Sequence, residues 1–575
     1  LQYFPDLAVK INENGAALRH PLKNPTFGHQ KITSKIKMHT MRITLTLMDN
    51  KFIYFLLLFF FPLFLTAQNR NPDEGLRKLQ VVIQAIDYYY VDSVHENELV
   101  EGAIVEMLKE LDPHSIYIPK EELRRANEPL QGNFEGIGVQ FEILRDTIVV
   151  VHPLTGGPSE KLGIISGDKI VKIDGEDVVG KQVTNQFVLD HLRGKKGTKV
   201  RVSIYRKGKK DLLEFVIVRD KIPINSIDAV YMIAPQTGYI NLNRFSLTTT
   251  QEFPDAVKKL KGEGMKNLIL DLRNNAGGYM APAIELSDEF LGVGKLIVYT
   301  EGLNSPRENY YSTYRGNFEN GKLVVMINEN SASSSEIVSG AVQDWDRGLI
   351  VGRRSFGKGL VQRPFNLPDS SQIRLTTARY HTPSGRCIQK PYDNGVEDYY
   401  KDFSNRYSHG ELVHADSIKF PDSLKYQTAS GRTVYGGGGI MPDVFIPWDS
   451  SFLTDYYMDV RRNNIINPLV SEYVDANRQS LLKEYPDFES FKQSFSVGKS
   501  LMKIFLEAAE KAEIKMNEEQ FTASEPLIKI QIKGLIAQKL YDITSYYVIA
   551  NESDPEVMEA VKVIQDDALF RDLNH

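Results

Sequence analysis

Leu323-Val324-Val325-Met326-Ile327-Asn328, then Ser331-Ala332-Ser333-Ser334-Ser335-Glu336, then Ile337-Val338-Ser339-Gly340-Ala341 reads as a buried strand, a hydroxyl-rich turn and a helix. A serine at such a turn stands exposed above a sheet, with the backbone N–H groups of the helix start free to face a developing oxyanion. A serine hydroxyl is a weak nucleophile until a base takes its proton. Ser355-Phe356-Gly357-Lys358-Gly359-Leu360 offers one. A lysine works as a base only when neutral, so its ordinary pKa of about 10.4 must fall to about 7–8, which an apolar pocket achieves by disfavouring the ammonium. Leu349-Ile350-Val351-Gly352 and Leu360-Val361 supply apolar surroundings, and Gln362 lies four residues on, placed to hold the amine.

Outward from this centre, 222–448 reads as a mixed α/β core. Gly238-Tyr239-Ile240-Asn241-Leu242 and Asn267-Leu268-Ile269-Leu270-Asp271-Leu272 are further strands. The second runs into Arg273-Asn274-Asn275-Ala276-Gly277-Gly278, a glycine-rich turn able to give a second oxyanion donor beside the N–H of Ser334. Upstream, 132–221 has short strands and one helix near Asn185 to Leu192. From 449 to 575 the chain is charged and helical, a cap or assembly surface with no chemistry motif. In 68–131, Leu76, Leu79, Val82, Ile83 and Ile86 keep helical spacing, as do Leu99, Ala103, Met107, Leu108 and Leu111, before Asp112-Pro113-His114-Ser115 ends the second helix. His114 reads as a turn residue. The fold class expected is multidomain α/β.

The 575 residues suffice for about three or four domains. A net charge of −5 gives no basic surplus of the kind that nucleic-acid binding needs. Phe52 to Leu65 is a run of 14 apolar residues, shorter than the roughly 20 that span a bilayer, and Leu65-Thr66-Ala67 follows the pattern of a cleavage site. Residues 48–67 therefore read as a signal peptide, and the protein as exported to the periplasm or cell envelope. Retention of the segment as an anchor, keeping the protein near the membrane, stays open, as does a homo-oligomer. Residues 1–47 read as upstream or mis-started sequence, with the start at Met41 or Met48. Cys387 is the only cysteine, which rules out an internal disulfide and a thiolate metal cluster.

Leu111-Asp112-Pro113-His114-Ser115, Asp271-Leu272-Arg273-Asn274-Asn275-Ala276-Gly277-Gly278, the Ser331–Glu336 turn, Gly357-Lys358-Gly359, Tyr380-His381-Thr382-Pro383-Ser384-Gly385-Arg386 and Gly437-Gly438-Gly439-Ile440-Met441-Pro442-Asp443 occur in that order. Together they make the chain resemble the C-terminal processing, or tail-specific, peptidases over nearly all of the sequence after the signal segment. The resemblance implies a Ser–Lys serine endopeptidase that needs no metal or other cofactor. It places the nucleophile at Ser333, 25 residues before Lys358. It implies support from Gln362, oxyanion donors at Gly277 or Gly278 and Ser334, and a supporting, structural Asp344. The 132–221 region resembles a PDZ domain, whose Gly136-Ile137-Gly138-Val139 loop would bind the C-terminal carboxylate of a protein or peptide substrate. Two positions depart from the family: Ser334 stands for the usual alanine, and Ala276 for the proline before the glycine pair.

Three rival readings are weaker. Gly352 to Gly359 nearly matches a phosphate-binding loop, but Gly359 stands where a hydroxyl must reach Mg²⁺ and a strand-like run comes next. His381 follows Ser333 as a triad histidine would, yet precedes Thr382-Pro383 in a turn. A PDZ-containing binding or scaffold protein with an inactive protease core is the alternative outside enzymes, and Ser333, Lys358 and Gln362 speak against it.

Overall fold

The computed structural model describes residues 72–154, 156–313, 316–571 and 573. The segments read from the sequence as upstream (1–47) and as a signal peptide (48–67) lie outside them. Among the described residues no helix is long and apolar enough to cross a membrane. The chain divides after Val94. On the N-terminal side lies helix α1 (Pro72–Tyr89), whose predicted stripe is real but open, with Leu76, Leu79 and Val82 exposed within that unit.

The second unit, His95–His575, begins with α2 (Glu96–Lys109), where Leu108 is the one buried member of the predicted stripe. Strand β1 (Ile116–Ile118) and α3 (Lys120–Gln131) follow. Next come β2 (Val139–Leu144), β3 (Thr147–Pro153), β4 (Lys169–Ile173), helix α4 (Asn185–Leu192), β5 (Lys199–Tyr205) and β6 (Leu213–Val218). These strands form an antiparallel sheet in the order β2-β3-β4-β5-β6, which leaves β2 as an edge. Thr184 caps α4 by accepting the Phe187 N–H. Val188 and Leu192 of that helix pack with Ile148, Ile170 and Val202 of the sheet.

The core continues with β7 (Ile227–Ala234), β8 (Thr237–Leu242), α5 (Thr249–Gly262), β9 (Asn267–Asp271), α6 (Met280–Asp288), β10 (Leu296–Gly302), β11 (Ser305–Tyr311), β12 (Leu323–Ile327), α7 (Ser334–Asp344), β13 (Leu349–Gly352), β14 (Leu360–Asn366), β15 (Gln372–His381) and β16 (Val444–Phe445). The central sheet runs β7-β8-β9-β12-β13-β16 and is parallel from β8 onward, with Leu270 opposite Val325 and Val325 opposite Ile350. A second, antiparallel sheet joins β1, β15, β10 and β11, with β14 paired to β15.

Alternation along the strands explains the layering. Leu268, Leu270, Leu323, Val325 and Ile327 face α5, α6 and α7. The intervening Ile269, Val324 and Met326 face a helix from the end of the chain, α11. The C-terminal extension carries α8 (Ile466–Glu484), α9 (Glu518–Leu540), α10 (Ile543–Asn551) and α11 (Pro555–Gln565). Through Val557, Ala560, Val563 and Ile564, α11 is a layer of the core itself. Helices α8 and α9 have their own apolar core. Helix α8 also reaches the β2–β6 domain: Ser471 donates to Glu142 at 2.7 Å and Arg478 to Ser166 at 2.7 Å.

Candidate active site

Strand β12 ends in a turn that delivers Ser333 to the start of α7 with φ 56° and ψ −112°. Such a backbone costs about 1–3 kcal/mol in a residue with a Cβ and persists only where its surroundings hold it. The neighbouring hydroxyls do that holding. Ser331 donates to Leu272 O at 2.8 Å and Ser335 to Asn275 O at 2.8 Å. Ser334 lies 3.2 Å from Gly278 O and 3.1 Å from Tyr279 O. Each of these fastens the serine turn to the loop after β9. Ser333 differs: it is only half-buried, and its hydroxyl donates to no acceptor among the described residues. The extra hydroxyl of Ser334 thus acquires a role that its place in the sequence does not suggest.

The loop after β9 is pressed against this turn. A Cβ on Gly277 would lie 2.8 Å from both Ala332 O and Ser333 Cβ, and one on Gly278 would lie 2.0 Å from Phe245 O. Both positions therefore require glycine. Their N–H groups differ. Gly277 N donates to Asn275 Oδ1 at 2.9 Å and is committed. The N–H groups of Gly278 and Ser334 have no acceptor among the described residues, as expected for Ser334 in the first turn of a helix. Of the two glycines expected as donors, Gly278 is the one that stays available.

Lys358 enters from the loop between β13 and β14. Its Nζ donates to Gln362 Oε1 at 3.1 Å, and Gln362 Nε2 donates in turn to His114 O. Among the described residues no hydrogen bond joins Nζ to Ser333 Oγ. Burial lowers the Lys358 pKa from its ordinary value; the Arg374 charge adds to this, while Asp112 and Glu336 oppose it. The chain then enters β14 and not a helix, so no phosphate-binding helix start succeeds the lysine.

Two residues absent from the sequence-based account of the site join the serine turn to the lysine loop. Glu336 Oε2 accepts the N–H groups of Ser333 (2.7 Å) and Lys358 (2.9 Å). Its Oε1 accepts the Ser355 hydroxyl (2.6 Å) and the Gly357 N–H (2.7 Å). The Tyr380 hydroxyl lies 3.0 Å from Ser333 O and 2.5 Å from Lys358 O. Both side chains are fully buried, and burial raises both pKa values, that of Glu336 against its four donors. Ser-x-x-Glu is a helix-capping pattern and was the available signal for Glu336; Tyr380 has no comparable one.

The other predicted residues lie apart from this centre. Asp344, at the far end of α7, accepts Arg386 at 2.7 Å and the Ser384 N–H at 2.9 Å as half of a fully buried ion pair. His381 approaches Gly385 O at 3.1 Å and stacks on Tyr299; no contact links it to Ser333 among the described residues. Gly136, Ile137, Gly138 and Val139 lead into the edge strand β2, and the Ile137 and Gly138 carbonyls are already bonded inside the domain. His114, tied to Tyr399 OH at 2.8 Å, has its pKa lowered to about 3, first by burial and then by the Lys358 charge.

Comparison with known proteins bears on the whole assembly. A model of peptidase family S41 matches residues 236–401, and a PDZ domain model matches 136–217. A model of the activating protease CtpB N-terminal domain matches 65–122, and a family of unknown function matches 456–542. A carboxy-terminal-processing protease of Bartonella bacilliformis is 36% identical over 329 residues, 56% of this chain and 75% of that protein. The carboxy-terminal processing protease CtpA of Bacillus subtilis is 35% identical over 55% of this chain and 67% of its own length. CtpB of the same species is 34% identical over 58% and 69%.

Proposed function

The chain belongs to the carboxy-terminal processing proteases, serine-type peptidases of family S41, and we propose that it cuts peptide bonds through a Ser333–Lys358 dyad. The observation that carries this reading is the singularity of Ser333: the surrounding hydroxyls are spent on the neighbouring loop, its own donates to no acceptor among the described residues, and its backbone N–H shares a Glu336 oxygen with that of Lys358, a lysine whose pKa burial lowers.

Neutral Lys358 takes the Ser333 Oγ proton as the oxygen attacks the substrate carbonyl. The oxyanion receives the N–H groups of Ser334 and Gly278. As the tetrahedral species collapses, the C–N bond breaks and Lys358 returns the proton to the leaving amine. Water, deprotonated by the same lysine, then hydrolyses the acyl ester and frees Ser333. Gln362 holds the amine in the meantime. Catalytic hydrogen bonds are commonly long in a free enzyme and tighten once substrate is bound, which accommodates the missing Ser333–Lys358 contact.

The PDZ domain makes peptide substrates the fitting partners. In our reading an exposed C-terminal tail adds to the β2 edge with its carboxylate at the Gly136–Val139 loop, and the chain is cut as an endopeptidase substrate. The signal-like segment 48–67 supports export to the periplasm or cell envelope, and cell fractionation tests this by the compartment in which the protein is found. For the chemistry, the purified protein is given an unstructured polypeptide. Loss of cleavage in both Ser333→Ala and Lys358→Ala is expected; retention in either removes the dyad, and a wild-type protein that binds tails without cutting them leaves only a scaffold.

A further inference from the structure

Behind the site, a carboxylate from the C-terminal extension grips two of its loops. Asp554 caps α11 by accepting the N–H groups of Glu556 and Val557, which fixes Glu556 in the first turn. Glu556 Oε2 receives Arg273 at 3.1 Å, and its Oε1 receives Arg353 at 2.5 Å. Arg273 begins the glycine loop and also pairs with Asp271 (2.7 Å) and Asp554 (2.9 Å). Arg353 begins the lysine loop and also pairs with Glu329, at 2.9 Å, in the turn that leads to Ser333. The Arg353 side chain is 4% exposed, and those of Arg273 and Glu556 are 13% exposed.

We propose that Glu556 is a positioning residue for peptide-bond hydrolysis, holding the glycine loop, the serine turn and the lysine loop in register by bridging Arg273 and Arg353. The inference rests on the Ser333–Lys358 dyad. Its physical basis is that the three loops leave the carboxyl ends of neighbouring parallel strands, β9, β12 and β13, and the strand ladder does not itself set the spacing of the loops beyond it. Two guanidinium groups beside one another repel unless a carboxylate lies between them. With it removed, Arg273 keeps Asp271 and Asp554, Arg353 keeps Glu329, and the loops part. Gly278 and Lys358 then move relative to Ser333, and a displacement of about 1 Å can cost a hundredfold in rate.

The test compares the full chain as wild type, Glu556→Gln, Glu556→Asp, Val563→Ala and Ser333→Ala, reading kcat and KM on an unstructured polypeptide together with the melting temperature. Val563 packs α11 on the sheet away from the loops, so Val563→Ala reports pure destabilisation of that helix. The expected result is a kcat at least tenfold lower in Glu556→Gln, with KM within about twofold. Glu556→Asp, charged but one methylene shorter, falls between, and it stands in if the glutamine variant does not fold. Val563→Ala loses melting temperature and keeps its kcat. Wild-type kcat in the Glu556 variants, or a loss matched by Val563→Ala at equal destabilisation, overturns the proposal. Cleavage by Ser333→Ala instead refutes the underlying dyad, whatever Glu556 does.

Discussion

Glu336 accepts the backbone N–H of Lys358 at 2.9 Å on the same carboxylate oxygen that accepts the N–H of Ser333. Ser333 and Lys358 belong to different loops, and this buried carboxylate, together with the Tyr380 hydroxyl, ties the two loops together. Replacing Glu336 tests how much of the site depends on that tie. In Glu336→Gln an amide NH₂ takes the place of one oxygen and faces donors it cannot accept, losing hydrogen bonds to a charged group at about 1.5–3 kcal/mol each. With two donors on either oxygen, a stability loss of about 3–6 kcal/mol by denaturant titration is expected, with kcat reduced at least tenfold. A variant as stable and active as wild type removes Glu336 from the positioning role.

The pH profile reports on Lys358. In the proposed mechanism the neutral amine is the active form, so its lowered pKa places the rise of kcat/KM below the ordinary lysine range. Gln362→Glu sets a negative charge against the ammonium, and an opposite charge at that distance raises a lysine pKa by about one unit or more. The rising limb should shift to alkaline pH by that amount, with a lower rate near neutrality. An unmoved profile means that another group is titrating.

His114 links stability to acid. Its folded pKa of about 3 lies below the unfolded 6.5, so the unfolded chain binds the extra proton between those values. The contribution is present in full above pH 6.5 and is lost as pH falls toward 3. At pH 5 the loss is roughly 2 kcal/mol. Melting temperatures measured from pH 7 to pH 5 should fall, and His114→Asn should flatten that slope; an equal slope in the variant refutes the assignment.

Ser334→Ala deletes a hydroxyl that ties α7 to Gly278 O and Tyr279 O but leaves the backbone N–H proposed as an oxyanion donor. The expected cost is about 1 kcal/mol of stability, with kcat within a few-fold of wild type. A loss of activity comparable to that of Ser333→Ala would make Ser334 the nucleophile.

Much of the site was legible because its chemistry is local. Strand, serine turn and helix are contiguous from Leu323 to Ala341, and the glycine pair comes just after the strand that ends at Asp271. Other contacts of the site join segments distant in the chain. Asp112 and His114 reach Lys358 and Gln362 from the N-terminal module because β1 joins β15. Glu336 lies within the serine turn, but its donors Ser355, Gly357 and Lys358 come from the lysine loop. The C-terminal helices, read as a cap without chemistry, include a structural layer of the core.

The local order of residues determines the serine turn, the apolar strands beside it and the PDZ-like segment, because periodicity and turn chemistry act over a few residues. Tertiary structure alone decides which hydroxyl donates to no acceptor and which glycine N–H stays free among the described residues, and which distant carboxylates hold the loops. These depend on groups that meet only when parallel strands bring their carboxyl ends together. The all-apolar strand Leu323–Ile327 announces that both of its faces are covered, but only packing reveals that α11 covers one of them and carries Glu556 to the back of the site.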